Sequence, residues 1–220
     1  MSDLMRTVDT PASRSTPSRA DFLIETLGLT YLPKESGYIG IVGRSCHNVT
    51  PAPATPNTSE ANIPSVFTRS AKPLAAQSHN YYMLTEKFPV NFLHFLDPDD
   101  THVLIEGGPV EYYTFIPPRH PSLSGRREAE SPIAEKITLG RDYLAGQTPI
   151  VSVPGRCWKA LRLCEGADYA LMANVLAPEF TEDRVKIGAG QEFIDMFEDT
   201  AAWATVEFLR SLIANETWSG

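Results

Sequence analysis

The sequence predicts a mainly β domain, a barrel or sandwich of short strands, with a short helix before it and a helix after it. Two observations set the class. Eight short runs rich in β-branched and aromatic residues lie close together, each bounded by turn residues. The intervals between most of them are too short for a crossover helix, which argues against β-α-β units and for a sandwich or barrel. A third observation gives the terminal helix. After Gly190, Phe193 and Phe197, then Val206, Leu209 and Ile213, recur at helical spacing, with a break expected near Asp199.

Taken in order, residues 1–18 are rich in Ser, Thr, Pro and Arg and are expected to form a mobile tail. Ser18-x-x-Asp21 reads as a capping box for a helix near 19–27, and Gly28 stands where a helix end takes a left-handed residue. The predicted strands are YIGIV (38–42), HNYYMLT (79–85), FLHFL (92–96), THVLIE (101–106), VEYYTFI (110–116), PIVSVP (149–154), CWKALRL (157–163) and DYALMANVL (168–176). The Pro-rich stretches 48–64 and 117–132 read as loops. The expected organisation is a tail (1–18), one barrel domain (19–188) and a helical extension (189–220).

A hydrophobic fraction of 42% and a charged fraction of 21% suit a globular core, and 220 residues suit one domain. The net charge of −8 comes without a Lys/Arg cluster, so neither nucleic acid nor a membrane surface is an expected partner. The N-terminus lacks the basic and apolar regions of a secretory signal, and no apolar run reaches the ~20 residues that span a bilayer. Cys46, Cys157 and Cys164 are odd in number and lack C-x-x-C spacing, which fits free thiols in a reducing compartment. The expected location is cytoplasmic.

Several short motifs follow one another along the middle of the chain. They are Ser36-Gly37-Tyr38, Arg44-Ser45, His94 followed by Asp99-Asp100-Thr-His102, and Gly107-Gly-Pro109. Leu139-Gly140, Val153-Pro154-Gly155-Arg-Cys-Trp158 and Ala177-Pro178-Glu-Phe180 come next. In order and spacing, from about 27 to 188, they resemble a family of small single-domain, mostly uncharacterised cupins related to the sugar-epimerase type. That resemblance implies a cupin-type β-barrel (jelly roll) with an interior ligand pocket, usually paired as a homodimer. Metal-binding cupins use two His and a carboxylate in a first motif and a His in a second. Laid on that pattern, this chain offers His94, Leu96 and Asp100, then Gly107, with Trp158 at the last position. An indole only donates and cannot ligate, so no metal and no cofactor are expected. Phe95, Asp100, His102, Gly40 and Ile41 also depart from the family's Arg, Glu, Trp, Arg and Glu, which marks a divergent member with a repurposed pocket.

Strand alternation places the chemistry. If Asp100 points inward, as the resemblance implies, His102 and Leu104 do too, because side chains repeat every two residues. A carboxylate beside an imidazole would raise its pKa and fix its tautomer, suiting it to move protons near neutral pH. The rival reading leaves Asp100 in the Pro-Asp-Asp turn and His102 at a rim. His94, two after Phe92, is a further inward candidate or a satisfied core histidine. Trp158, Ala160 and Arg162 form a second inward set, in which Arg162 holds an anionic substrate group or pairs with Asp100. Tyr82, Tyr112 and Tyr113 are either cavity walls or plain core.

The expected catalytic residues are therefore His102, Asp100 and His94. The expected substrate-binding residues are Arg162, Trp158, Tyr82 and Tyr113. No esterase elbow, P-loop or dinucleotide fingerprint is present. These features predict a metal-independent enzyme performing acid-base chemistry, an isomerisation, dehydration or cyclisation, on a small, partly apolar molecule of the secondary-metabolite kind. The alternatives are a non-catalytic small-ligand-binding module and, needing a ligand set the sequence lacks, a metal-dependent dioxygenase.

Overall fold

A computed structural model describes residues 17–50, 72–123 and 130–219. Most of the expected tail, most of the 48–64 loop and the middle of the 117–132 loop lie outside them. Helix α1 (Arg19–Thr26) opens the fold with the capping box read from the sequence: the Ser18 hydroxyl accepts from the Asp21 amide, and the Asp21 carboxylate accepts from the Ser18 amide. Gly28 follows the helix at φ +61°.

Thirteen strands follow among the described residues. They are β1 (Thr30–Tyr31), β2 (Tyr38–Arg44), β3 (Asn48–Val49), β4 (Leu74–Ala75), β5 (Ser78–Thr85), β6 (Val90–Leu96), β7 (Asp99–Gly107), β8 (Val110–Ile116), β9 (Ile133–Leu139), β10 (Ile150–Val153), β11 (Cys157–Leu163), β12 (Tyr169–Ala177) and β13 (Val185–Ile187). Each of the eight sequence-read runs falls on a strand. The break expected near Asp199 separates α2 (Gln191–Phe197) from α3 (Val206–Ser211), with Asp199 itself at φ +59°.

The strands make two antiparallel sheets, ordered β1-β2-β5-β12-β7-β10 and β13-β6-β11-β8-β9, plus the small β3-β4 pair. Their facing surfaces enclose one apolar cluster that includes Leu84, Leu104, Tyr112, Leu161 and Met172. The outer faces are covered as well. Helix α1 covers Met83 and Leu171 of the six-stranded sheet through Leu23. Helices α2 and α3 cover the five-stranded sheet, where Leu93, Phe95, Tyr113, Phe115 and Trp158 pack on Phe193, Phe197, Leu209 and Ile213. The five-stranded sheet is therefore buried on both faces, apolar on the outer one and largely so on the inner. The described cysteines are all free. Among the described residues no helix is long and apolar enough to cross a membrane.

Candidate functional site

The end of the barrel interior beside β2, β5, β6, β7, β11 and β12 is polar, and it opens into a cavity of about 730 Å³. Strand β7 supplies Asp100 and His102 to it, with Leu104 on the same face, as the two-residue period demands. Antiparallel pairing then sets their neighbours. On one side, β10 places Val151 opposite His102 and Val153 opposite Asp100. On the other, β12 places Asn174 opposite His102 and Leu176 opposite Asp100. The two polar groups thus sit in an apolar frame, each 2% exposed, with Asn174 as their common partner. Its Nδ2 donates to Asp100 Oδ1 at 2.6 Å and lies 2.9 Å from His102 Nε2.

With Nε2 accepting, the His102 proton belongs on Nδ1, which faces the Tyr112 hydroxyl at 3.1 Å. Asp100 Oδ1 stands 3.8 Å from that Nδ1, outside hydrogen-bond reach. The expectation that Asp100 raises the His102 pKa is corrected here. Burial, with a smaller contribution from His94, pushes His102 down to about 3, so the imidazole is neutral near pH 7.

Asp100 Oδ2 is instead in contact with Lys159 Nζ, and both side chains are 2% exposed. This pair crosses the barrel from β7 in one sheet to β11 in the other. Lys159 stands opposite His94 of β6 on one side and Thr114 of β8 on the other. His94 faces the same cavity because β6 has one residue more than β11 between the pairs Lys159–His94 and Leu161–Asn91. That bulge lets Asn91 and His94 share a face although they are three residues apart. His94 Nδ1 lies 2.8 Å from the Phe92 carbonyl, which places its proton there and leaves Nε2 as the basic nitrogen. Burial and then Lys159 push His94 down to about 3.

A second carboxyl group approaches from the turn between β1 and β2. Ser36 at φ +67° and Gly37 at φ +80° shape that turn. A Cβ at Gly37 would meet the Tyr82 hydroxyl, so the close approach requires glycine. Tyr82 donates to the Ser36 carbonyl at 2.7 Å, and Asn91 donates to the Glu35 carbonyl at 3.2 Å. Glu35 lines the cavity, and burial raises its pKa against the opposing charge of Lys159. At Lys159 two effects compete. Burial favours the neutral amine and brings its pKa down to about 7, while the charge of Glu35 and the contact with Asp100 favour the ammonium.

The sequence-predicted residues divide cleanly. Asp100, His102, His94 and Tyr82 meet at the cavity. Trp158, Arg162 and Tyr113 do not, because the inward phase of β11 is Cys157, Lys159, Leu161 and that of β8 is Val110, Tyr112. Trp158 packs on Phe95 and Phe193 under α2, with ring centroids 4.6 and 5.8 Å away. Arg162 donates to Ser211 Oγ at 3.0 Å and lies over the Phe208 ring, so it pairs with neither Asp100 nor the cavity. Tyr113 donates to the Glu111 carboxylate and packs on Trp203 and Phe208. Sequence reasoning missed Lys159, Asn174 and Glu35. The one available signal was a lysine at the opposite phase from Arg162 in the largely apolar run CWKALRL.

Residues 21–187 match the family model described as Cupin superfamily (DUF985). No curated protein matches the chain. A hypothetical protein from Leishmania major is similar in structure, with a TM-score of 0.67 and 21% identity over 90% of this chain and 100% of that one. A protein from Shewanella oneidensis is similar too, with a TM-score of 0.62 and 19% identity over 90% of this chain and 99% of the other. At these identities the likeness shows the fold. The metal that many cupins hold does not fit the residues present. Asp100 is taken by Lys159 and Asn174, and among the described residues no three His, Cys, Asp or Glu side chains are grouped to hold an ion.

Proposed function

Because the chain belongs to the cupin superfamily, we propose that its barrel is a metal-independent enzyme performing acid-base chemistry on a small, partly apolar organic molecule, by moving a proton on the carbon beside a carbonyl. One observation carries the reading. A lysine held in contact with a buried aspartate faces a cavity of about 730 Å³, within the ~300–1,000 Å³ range of small-molecule sites.

An amine whose pKa falls to about 7 is poised to accept a proton and return it at neutral pH. His94, neutral and with Nε2 unprotonated, is the second proton acceptor in reach of a bound molecule. Asp100 and Asn174 are positioning residues, holding Lys159 and His102 on the cavity wall. Isomerisation, dehydration and cyclisation of carbonyl compounds each begin with the same proton removal, so the site supports the group of reactions rather than one member. A second reading, a non-catalytic binding module, has its own support: the Tyr82 hydroxyl and both His102 nitrogens are engaged within the protein.

Deuterium exchange separates the two. A panel of cyclic ketones, β-diketones and enals is incubated with the protein in deuterated buffer, and NMR follows loss of the proton beside the carbonyl. Enzyme-dependent exchange of at least one probe, absent in folded Lys159→Met, is the expected result. Probes that bind without exchanging would support the binding module and end the catalytic reading.

A further inference from the structure

We propose that Lys159 takes its substrate covalently, as an imine with the carbonyl carbon of an aldehyde or ketone. The proposal deepens the catalytic reading above and rests on it for the cavity as a reaction site. Its geometric basis is the company around Nζ. A primary amine is buried between two sheets, facing a cavity large enough for an organic molecule, with two carboxyl groups of unlike character near it.

Imine formation needs three things: an unprotonated amine, a proton donor for the departing oxygen and an anion to stabilise the cation that results. Lys159 meets the first, since burial favours its neutral form. Glu35 meets the second. Its carboxyl is pushed toward the protonated form by burial, and its charge is coupled to that of Lys159. Asp100 meets the third, being already placed against Nζ. The neighbouring imidazoles, His94 and His102, are neutral and add no competing charge.

The step balances without any oxidant or reductant. The Lys159 nitrogen bonds to the carbonyl carbon as the C–O double bond opens, and a proton passes from nitrogen to oxygen to give a carbinolamine. Glu35 then protonates the hydroxyl, the C–O bond breaks, and water leaves. The product is a protonated imine, whose positive charge stands where the ammonium stood, facing Asp100. Water reverses the sequence and releases the carbonyl compound. The iminium also acidifies the adjacent carbon, drawing in the electrons as that proton passes to Nε2 of His94, which lines the same cavity.

A lysine kept only as a structural cation has no need of a cavity in front of it. Two apolar side chains of similar volume often replace such a buried pair at little or no loss of stability.

The test is reductive trapping on the full wild-type chain. Propionaldehyde and cyclohexanone are used as probes with cyanoborohydride at pH 7.0, followed by intact mass and peptide mapping. An amine with a pKa near 7 is about half neutral at that pH, whereas an ordinary exposed lysine near 10.4 is neutral in only about one molecule in 2,500. The expected result is a single adduct at Lys159, formed at least about 100-fold faster than adducts at exposed Lys87 or Lys136. Mapping wild type localises the adduct without reliance on a variant that fails to fold. Labelling of surface lysines with Lys159 unmodified overturns the proposal. Deuterium exchange without trapping also overturns it and leaves Lys159 as a simple base, while trapping without exchange upholds the imine and removes the acid-base reading.

Discussion

Removing one member of the Lys159–Asp100 pair is expected to cost more stability than removing both. Each side chain is 2% exposed, so neither charge finds water when its partner is lost. In Lys159→Met, the Asp100 carboxylate keeps the Asn174 amide at 2.6 Å but no cation. An uncompensated buried charge of this kind costs about 3–5 kcal/mol. Asp100→Asn should cost less, because Lys159, already down to about 7, sheds its proton and becomes a neutral amine. The double variant carries neither charge and should lie within about 1 kcal/mol of wild type or above it.

The coupling in the cycle is then at least about 3 kcal/mol, and the lysine variant's own cost of about 3–5 kcal/mol is roughly 6–20 °C in Tm for a domain of this size. Guanidinium unfolding at pH 6.0, where Lys159 is protonated, with equal m-values across the four proteins, measures it. The pH dependence has a fixed sign. Lys159 has a folded pKa of about 7, below its unfolded value of about 10.4, so wild type gains stability as pH rises from about 7 to about 10 and Lys159→Met, lacking the amine, does not. The deficit of Lys159→Met should therefore widen across that range. Additivity of the two single variants within about 0.5 kcal/mol would refute the reasoning, since independent sites behave that way.

Three further outcomes are expected. The proton-exchange rate should rise through an inflection near pH 7 belonging to Lys159, and an inflection near 6.5 would reassign the base to an ordinary histidine. His94→Ala should lower exchange by about 10²–10⁴, as loss of a proton carrier does, whereas His102→Ala should act mainly on stability through Tyr112 and Asn174. The opposite ranking, read from initial rates alongside denaturation curves, would place the base on β7. Light scattering should give twice the mass of one chain, because β2 ends in an edge carrying exposed Ile41 and Val42, surface that a second copy would cover; a monomer at micromolar concentration counts against this.

Much of the fold was legible because turn residues punctuate it. Pro, Gly and Asp bound the eight runs that became strands, and Ser18 with Asp21 announced α1. Strand β9 was not named for a physical reason: at the sheet edge its Glu135 and Lys136 are exposed and interrupt the apolar run that marks the other strands. On β7 the resemblance supplied the inward direction of Asp100 and alternation carried it to His102, and both are buried while Thr101 and Val103 between and beyond them are less so. On β11 it gave nothing, because helices α2 and α3 cover the outer face and nearly every residue of the strand is buried. With no polar side to set the phase, a one-residue error was invisible in the pattern, and it exchanged Lys159 for Trp158. The bulge on β6 likewise breaks the period between Asn91 and His94. Glu35 was beyond reach altogether. It belongs to a turn, and only tertiary packing through Tyr82 and Asn91 brings it to the cavity.

The covering of the outer face also explains how the barrel tolerates its interior. Asp100, Lys159, His94, His102, Asn91 and Asn174 are all buried at positions where an ordinary barrel would pack aliphatic side chains. Each group gives up water, and the desolvation is offset only in part by hydrogen bonds and one ion pair. One residue away on the same strands, the opposite phase makes up the difference. Trp158 stacks edge-on against Phe95, Phe115 packs on Phe193 and Phe197 at 5.0 and 5.3 Å, and α2 and α3 seal the cluster. Aromatic pairs of this geometry contribute about 0.5–1.5 kcal/mol each beyond the area they bury. The two-residue period of a strand thus separates the two tasks. Odd positions of β11, led by Lys159, hold the costly polar cluster around the cavity, and even positions, led by Trp158, hold the apolar contacts that keep the strand in place to present it.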